Sequence, residues 1–384
     1  MQTTYIETQQ VSFQEFKKQI LEDYKLGRIS REMSYLARRE VLTGKAKFGI
    51  VGDGKELPQL AMAKVFRNGD FRSGYYRDQT FALAVGALTI ESFFAQLYAD
   101  TSLEREPASV GGQMNCHFAT RSLNEDGSWK NLTKIKNISS DISPTAGQMP
   151  RLLGLAHAST IFKHVKFDGS EKLSNNGREV AFGTIGDASS AEGHFWETLN
   201  AACALQAPII LSIWDDGYGI SVPTHNQRAK EDMAEMLSGF QRREDKKEGC
   251  EIIQVKAWDY PALIDAYARA EHYARVESVP VVVHVQEVTQ PQGHSTSGSH
   301  ERYKSEERLN WETEYDNLSK FKEWIANYSI EIDGIVQHLA SKDELDLIDR
   351  EAKKIVKEGQ KRAWEYYRND IDELRSKTLP FVEV

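Results

Sequence analysis

The segments EVAFGTIGD (179–187) and PIILSIWDD (208–216) decide the fold of this 384-residue chain. Each is a short apolar run that ends in acidic residues, and a helix-like sequence separates the two. Two more apolar runs follow, EIIQVKAWD (251–259) and PVVVHVQEV (280–288), with an amphipathic stretch at 260–276 between them. Short, fully apolar strands that alternate with helices predict a mostly parallel sheet covered on both faces, and therefore an α/β fold.

Helical sequences flank this core on both sides. Residues 12–43 carry apolar residues at helical spacing, and residues 343–377 form a charged helical segment. We therefore predict a helical N-terminal extension over 1–45, an α/β domain over 46–325 and a helical C-terminal tail over 326–384.

The segments before residue 150 give weaker signals. Residues 67–79 are rich in turn-forming residues, and residues 103–148 are predicted to be irregular. The polar stretch at 120–134 indicates an inserted surface loop, whereas the apolar run at 82–99 predicts one helix. A short helix is also expected over 229–240.

The composition excludes several classes of protein. With 40% hydrophobic and 27% charged residues, the chain is typical of globular proteins. Its net charge of −9 argues against a nucleic-acid-binding surface. Because no stretch approaches 18 consecutive apolar residues, we expect no membrane span. The polar N-terminus MQTTYIETQQ argues against a secretory signal, and three isolated cysteines favour a reducing cytoplasm.

Carboxylates stand at the ends of two predicted strands. Asp187 follows Gly186, and Asp216 follows Asp215. Ligands bind at the carboxyl ends of parallel strands, so on neighbouring strands Asp187 and Asp216 would face one crevice. Two hard oxygen ligands there suit Mg²⁺ or Ca²⁺, and the turn after Asp187 offers backbone N–H groups to a phosphate. Either aspartate alone would more often cap a helix, so the prediction depends on the pair.

Several motifs, taken in order, resemble one family. The stretch from Gly186-Asp187-Ala188 to Asp215-Asp216 resembles the thiamine diphosphate motif, which reads GDG and later NN. IWDDGYGISVP is close to the branched-chain form of that motif, NNGYAISTP. Four more segments match in family order: SGYYRDQ (73–79) resembles GQYREAG, GGQMNCHFA (111–119) resembles GRQMPVHYG, ISPTAGQMPRLLGLA (142–156) resembles SSPLATQIPQAVGAA, and QGHSTSGSHERYKS (292–305) resembles GHHSTSDDSSAYRS. The chain is therefore similar to the α subunit of 2-oxoacid dehydrogenase E1 components, nearest the branched-chain type.

This resemblance implies a thiamine diphosphate-binding fold and a role for each matching residue. Asp187, Asp216 and the main-chain oxygen of Tyr218 would bind Mg²⁺. His117 and His294 match the two family histidines near the reacting centre. The positions that match cofactor-binding residues are Tyr76, Arg77, Ser143, Thr145, Gly186, Asp187, Ala188, Asp216, Tyr218 and His294.

The resemblance also implies a reaction and partners. Thiamine diphosphate and Mg²⁺ would serve the oxidative decarboxylation of a small 2-oxoacid, and the acyl group would pass to a lipoyl group of the E2 acyltransferase. In this family the glutamate that activates the cofactor comes from the β subunit. The strand–helix rhythm occurs only once in this chain, so we expect an E1 β chain or a fused β half, in an α₂β₂-type assembly.

Some positions depart from the family pattern and leave alternatives open. Asp215 and Asp216 stand where the family has asparagines, while Trp214 and Gln290 replace arginines. Pyruvate or acetoin dehydrogenase remains an alternative, as does a non-catalytic relative that kept the fold. Mg²⁺-dependent phosphoryl transfer is a third possibility, although its GxxxxGK[ST] loop is absent. Ser295 occupies a position that is phosphorylated in some relatives, where added negative charge would repel the diphosphate.

Overall fold

A computed structural model describes residues 11–243, 248–296 and 298–382. Residues 1–10, which are the polar N-terminus and the first part of the extension predicted over 1–45, lie outside the described residues. The strands of the described part are β1 (Phe71–Ser73), β2 (Asn137–Ile138), β3 (Ala181–Gly186), β4 (Ile209–Trp214), β5 (Tyr218–Gly219), β6 (Val222–Pro223), β7 (Glu251–Lys256), β8 (Val281–Gln286), β9 (Ser329–Ile332) and β10 (Ile335–His338).

Six of these strands form one sheet in the order β2-β1-β3-β4-β8-β7, and every neighbouring pair is parallel. The four strands expected between residues 179 and 288 are β3, β4, β7 and β8, so their prediction is confirmed. β5 with β6, and β9 with β10, are separate antiparallel pairs.

Helices surround the sheet. Those of the described part are α1 (Phe13–Leu42), α2 (Glu56–Val65), α3 (Gln79–Ala84), α4 (Ile90–Leu97), α5 (Met149–Phe162), α6 (Ser170–Leu173), α7 (Gly193–Leu205), α8 (Met233–Leu237), α9 (Tyr260–His272), α10 (Glu306–Glu314), α11 (Asn317–Asn327) and α12 (Lys342–Thr378). No helix in these ranges is long and apolar enough to span a membrane.

Side chains of the central strand β4 alternate between two hydrophobic clusters, one on each face of the sheet. Ile210 and Trp214 pack into one cluster. Ile209, Leu211 and Ile213 pack into the other. All six residues of β4 are buried, which explains why the strand reads as a continuous apolar run. The predicted α/β fold with a parallel sheet covered on both faces is confirmed.

Three local predictions were wrong. β1 and β2 lie in segments that were expected to be irregular, because strands of three and two residues are too short to show a periodic pattern. The run at 82–99 is two helices, α3 and α4, rather than one. Gly86 adopts a φ of +76° between them, and Thr89 begins α4 with a capping box. The helix expected over 229–240 is limited to α8, which a 3₁₀ turn follows.

The terminal helices α1 and α12 pack against each other and onto the core. Tyr24 of α1 donates a hydrogen bond of 2.8 Å to Asp349 of α12. A buried ion network continues from α1: Arg31 contacts Glu56 at 2.6 Å and Asp316 at 2.7 Å. These contacts join both chain ends to the α/β part, while the domain boundaries given above stay a prediction.

Candidate functional site

A cleft of about 310 Å³ opens at the carboxyl ends of β3 and β4. The two strands are neighbours and pair Gly186 with Trp214, so the residues that follow each strand meet here. The residues that line the cleft are Tyr75, Tyr76, Arg77, Thr145, Gly186, Asp187, Ala188, Ser189, Asp216, Tyr218, Gly219, Ile220, Gln290 and His294. Nine of the predicted site residues are among them, while His117 and Ser143 lie beside the cleft. A larger cavity, about 580 Å³, lies near Trp258 and Trp324, and no predicted site residue lines it.

Asp187 is buried in the floor of this cleft and is 2% exposed. Its Oδ2 atom has no hydrogen-bond partner among the described residues. Burial, followed by the charges of Asp216 and Asp215, raises the pKa of this carboxyl well above its usual range. A buried carboxylate oxygen that accepts no hydrogen bond is costly unless a cation lies beside it. Arg228 Nη2, at 3.8 Å, is beyond hydrogen-bond distance, so the cleft is suited to a further positive ion.

Asp215 does not line the cleft, although its side chain interacts with that of Asp187. Its Oδ2 lies 2.8 Å from His284 Nε2 on the neighbouring strand β8, and Arg228 Nη2 lies 3.6 Å away. Burial raises the pKa of Asp215, but His284 and Arg228 more than offset that effect, and the net shift is downward. Arg228 Nη2 also lies 3.8 Å from Asp187 Oδ2, so it stands between the two carboxylates. Sequence reasoning missed both His284 and Arg228, because neither lies in a recognised motif.

Asp216 is the second carboxylate that lines the cleft. Its Oδ1 accepts a hydrogen bond of 3.2 Å from the Tyr218 backbone N–H, and its Oδ2 lies 3.4 Å from Lys55 Nζ. Its backbone carbonyl accepts a bond of 2.8 Å from Arg308. These three contacts hold the turn after β4 and so determine the position of the Asp216 carboxylate.

Two glycines flank the segment that places Lys55 next to Asp216, behind the lining of the cleft. A Cβ at Gly52 would lie 2.0 Å from the Arg77 carbonyl oxygen, and one at Gly54 would lie 1.9 Å from that of Thr289. Gly54 also has a φ of +83°, which other residues rarely adopt. Burial lowers the pKa of Lys55, and the charge of Asp216 opposes that effect. Close approach of backbone segments is thus the physical reason for glycine at both positions.

Arg77 ties two loops together at the mouth of the cleft. Its Nη1 donates to the Val51 carbonyl at 2.8 Å, and its Nη2 donates to the His294 carbonyl at 2.8 Å. With its amide oriented to satisfy both groups, Gln290 accepts from the same guanidinium at 3.1 Å. Burial, with the nearby charge of Arg77, lowers the pKa of His294 to about 4, so its imidazole is neutral at pH 7.

His117 is held in one tautomer next to the cleft. Its Nδ1 lies 3.3 Å from the Asn115 carbonyl, which can only accept, so Nδ1 carries the proton when the ring is neutral. Its Nε2 then accepts from the Ser143 hydroxyl at 2.9 Å. The imidazole stacks on Tyr76 with ring centres 5.7 Å apart. His117 and Ser143 thus form a hydrogen-bonded pair next to Tyr76, which lines the cleft.

Trp214 does not line the cleft. It is fully buried in the core, and its Nε1 donates a bond of 3.1 Å to Asp78. The position where the branched-chain pattern has an arginine is therefore part of the hydrophobic core in this chain.

The residues of the cleft fit a magnesium–diphosphate group. In the part of the chain that the structure describes, no three His, Cys, Asp or Glu side chains are arranged to hold a metal by themselves. Mg²⁺ needs no such cage, because it is commonly bound by one or two carboxylates, water and substrate phosphates. Asp187 and Asp216 supply the carboxylates, and the unpaired Asp187 Oδ2 is the observation that favours a cation.

Comparison with known proteins adds an independent finding. The model of a family described as "Dehydrogenase E1 component" matches residues 24–371. The chain is 25% identical over 313 residues to the human 2-oxoisovalerate dehydrogenase subunit alpha, mitochondrial, which covers 81% of this chain and 61% of that protein. It is 27% identical over 312 residues to the 2-oxoisovalerate dehydrogenase subunit alpha of Bacillus subtilis (strain 168), covering 81% and 82%. This chain thus spans about three-fifths of the length of the human protein.

Proposed function

Because the chain belongs to the dehydrogenase E1 component family, we propose that it is the α chain of a 2-oxoacid dehydrogenase that uses thiamine diphosphate and Mg²⁺. The observation that carries the proposal is the cleft in which Asp187, with one buried oxygen unpaired, lies with Asp216 below Tyr76 and Arg77. The names of the relatives favour a branched-chain 2-oxoacid as the substrate. Pyruvate and acetoin remain alternatives that the assay must include.

In this proposal, Asp187, Asp216 and the main-chain oxygen of Tyr218 hold Mg²⁺, which in turn binds the diphosphate. When bound, the cofactor supplies a carbanion that adds to the 2-oxo carbon and an electron sink for the decarboxylation. The protein contributes binding, orientation and exclusion of water. The hydrogen bond from the Tyr218 N–H and that from Arg308 hold Asp216 in place before any ion arrives.

Tyr76, Arg77 and His294 are proposed to surround the diphosphate. Arg77 keeps the His294 loop against the Val51 segment, because it donates to carbonyls on both. A neutral His294 imidazole offers one N–H to a phosphate oxygen and adds no charge of its own. Ser143 and Thr145 would lie under the aminopyrimidine ring.

His117 is proposed to act on the acyl group. A neutral imidazole whose Nδ1 is bonded to a carbonyl presents Nε2 as a base, and the Ser143 hydroxyl is within reach as a proton relay. The pair can thus accept or return one proton during acyl transfer to a lipoyl group.

We also propose partners and a compartment. The described part of the chain contains one six-stranded parallel sheet, so the activating glutamate would come from an E1 β chain or a fused β half. An α₂β₂-type assembly would then pass the acyl group to a lipoyl acyltransferase E2. The cysteines are free thiols, even though Cys203 and Cys250 are in contact, and free thiols favour the cytoplasm as the site of action.

This function is tested by titrating the protein with thiamine diphosphate in a calorimeter. The titration is done once with Mg²⁺ present and once with EDTA. The protein would be the full chain purified with whatever partner stays bound. We expect binding that requires Mg²⁺ and that is lost in Asp187→Asn. The matched control is Asp265→Asn on α9, whose side chain is 70% exposed. Mg²⁺-independent binding, or none at all, would contradict the proposal, and no binding would favour a non-catalytic relative.

A further inference from the structure

Lys55 is a buried cation that none of the roles above uses. It is fully buried, and among the described residues Asp216 is the single side-chain acceptor for its Nζ. An ammonium group has three N–H donors, so two remain without a protein acceptor in the described part of the chain. A buried ammonium group with a single acceptor lowers the stability of the fold. We therefore infer that its positive charge serves the neighbouring cleft.

The backbone gives Lys55 little freedom to move away. It precedes the first turn of α2, and its N–H donates to the Gly52 carbonyl at 3.3 Å. The close contacts of Gly52 and Gly54 with the backbone of Arg77 and Thr289 leave no space for the segment to shift inward. The backbone of Lys55 is therefore held in place behind the cleft, where its ammonium group contacts Asp216, one of the lining residues.

Lys55 differs from the other charged residues around the cleft in the group that it contacts. Asp187 and Asp216 bring two carboxylates to the cleft, while Asp215 is directed to His284. Arg77 uses both terminal nitrogens on carbonyl oxygens. Within the described residues, Lys55 is the cation in ion-pair contact with the Asp216 carboxylate. A diphosphate that approached Asp216 without this cation would meet uncompensated negative charge in a poorly solvated site.

We propose that Lys55 is a positioning residue for the metal–diphosphate group, because its ammonium offsets the Asp216 carboxylate beside which the diphosphate must sit. The proposal rests on the function proposed above. It makes the pair Lys55–Asp216 one neutral unit, in which the carboxylate still presents an oxygen to Mg²⁺. A purely structural ion pair would affect folding alone.

A double-mutant cycle with two probes separates these roles. Lys55→Met, Asp216→Asn and the double variant would be compared with the wild type, each as the full chain with its co-purifying partner. One probe is thiamine diphosphate at saturating Mg²⁺, measured by calorimetry. The other is Mn²⁺ alone, measured by electron paramagnetic resonance. Lys64→Met on the same helix is the control, because its side chain is 34% exposed and pairs with Asp23 at the surface.

The expected effects have opposite signs for the two probes. Lys55→Met should weaken thiamine diphosphate binding by roughly 30-fold or more, as when one partner of a buried charge pair is removed. It should strengthen Mn²⁺ binding, because the site becomes more negative. In the Asp216→Asn background the same substitution should change thiamine diphosphate affinity by less than about threefold. Thermal melting of each variant, with Lys55→Gln as a second replacement, shows whether the protein is folded.

Three outcomes would overturn the inference alone. The first is unchanged thiamine diphosphate affinity in folded Lys55→Met, and the second is an equal loss in both backgrounds. Mn²⁺ and diphosphate affinities that fall together would also overturn it, since that pattern indicates a structural role. A wild-type protein without affinity for thiamine diphosphate would overturn the proposed function, and this inference with it.

Discussion

His284 Nε2 lies 2.8 Å from Asp215 Oδ2, and this contact separates two consecutive aspartates. Asp215 is held against the neighbouring strand β8, whereas Asp216 faces the cleft. Asp215 and Asp216 stand where the related family has asparagines. In the structure the Asp215 carboxylate contacts His284 and the Asp216 carboxylate contacts Lys55.

The first prediction concerns His284. His284→Leu should lower the free energy of unfolding by about 2 kcal/mol, because it leaves a largely buried carboxylate without its closest partner. His284→Gln should recover part of the loss by donating a hydrogen bond. Chemical denaturation measures both, with the half-exposed His272→Leu as the control. A His284→Leu protein as stable as the wild type would mean that this contact does not hold Asp215.

The second prediction concerns the buried network around Arg31. Arg31→Met should destabilise the fold by about 3–5 kcal/mol, because it leaves Glu56 and Asp316 buried without their cation. Lys25→Met on the same helix removes an exposed pair with Glu351 and should cost at most about 1 kcal/mol. Urea denaturation of the two variants gives the comparison, and equal losses would contradict the account.

The Arg31 network also has a defined pH dependence. Burial raises the pKa of Asp316, but Arg31 outweighs this effect and the net pKa is lowered. A lowered carboxyl pKa in the folded state contributes stability at neutral pH, and that stability is lost as the pH falls through the folded pKa. The stability difference between wild type and Arg31→Met should therefore shrink in acid. A difference that grows in acid would rule out this origin.

The third prediction concerns His294, whose pKa of about 4 lies below the usual value. Between pH 6.5 and 4 the unfolded chain binds a proton that the folded imidazole does not, so this residue lowers stability as the pH falls through that range. Nuclear magnetic resonance of labelled histidines, assigned with His294→Gln, should show no titration of His294 between pH 5 and 8. A midpoint near 6.5 would show that the ring is solvated and not held against Arg77.

The fourth prediction separates decarboxylation from acyl transfer. His117→Gln should reduce acyl transfer to a lipoyl group by roughly 100-fold, the lower range for loss of an acid–base group. Decarboxylation with an artificial electron acceptor should fall much less. Ser143→Ala should show the same pattern more weakly. The contact of His117 Nδ1 with the Asn115 carbonyl still holds the imidazole in the same tautomer in this variant. Equal losses in both assays would place His117 in the decarboxylation step instead.

The strand–helix rhythm made most of the fold predictable. β3, β4 and β8 are almost entirely buried, so their apolar runs are distinct from the helices around them, whereas the edge strand β7 is only partly buried. β1 was not predicted, because its three residues include Arg72 and a charged residue is usually expected at an exposed position. In the structure Arg72 is buried and paired with Asp78 and Asp141, a long-range arrangement that local pattern cannot show.

The candidate site was predictable only where motifs carried it. Asp187 and Asp216 followed from strand ends, and the resemblance supplied Tyr76, Arg77 and His294. Lys55 was not predictable, because its importance depends on a contact with a residue 161 positions away. The same holds for His284, which lies inside a strand where a polar residue gives no sign of its partner.

The measurement that tests the central claim most directly is CO₂ release from a panel of 2-oxoacids with thiamine diphosphate, Mg²⁺ and an artificial electron acceptor. The protein would be purified from its native source together with whatever stays bound. We predict turnover that favours 3-methyl-2-oxobutanoate over pyruvate, stops with EDTA and depends on a co-purifying β component. Turnover that favours pyruvate would support the proposed reaction but identify pyruvate as the substrate. No turnover of any 2-oxoacid with the β component and cofactor present would contradict the account.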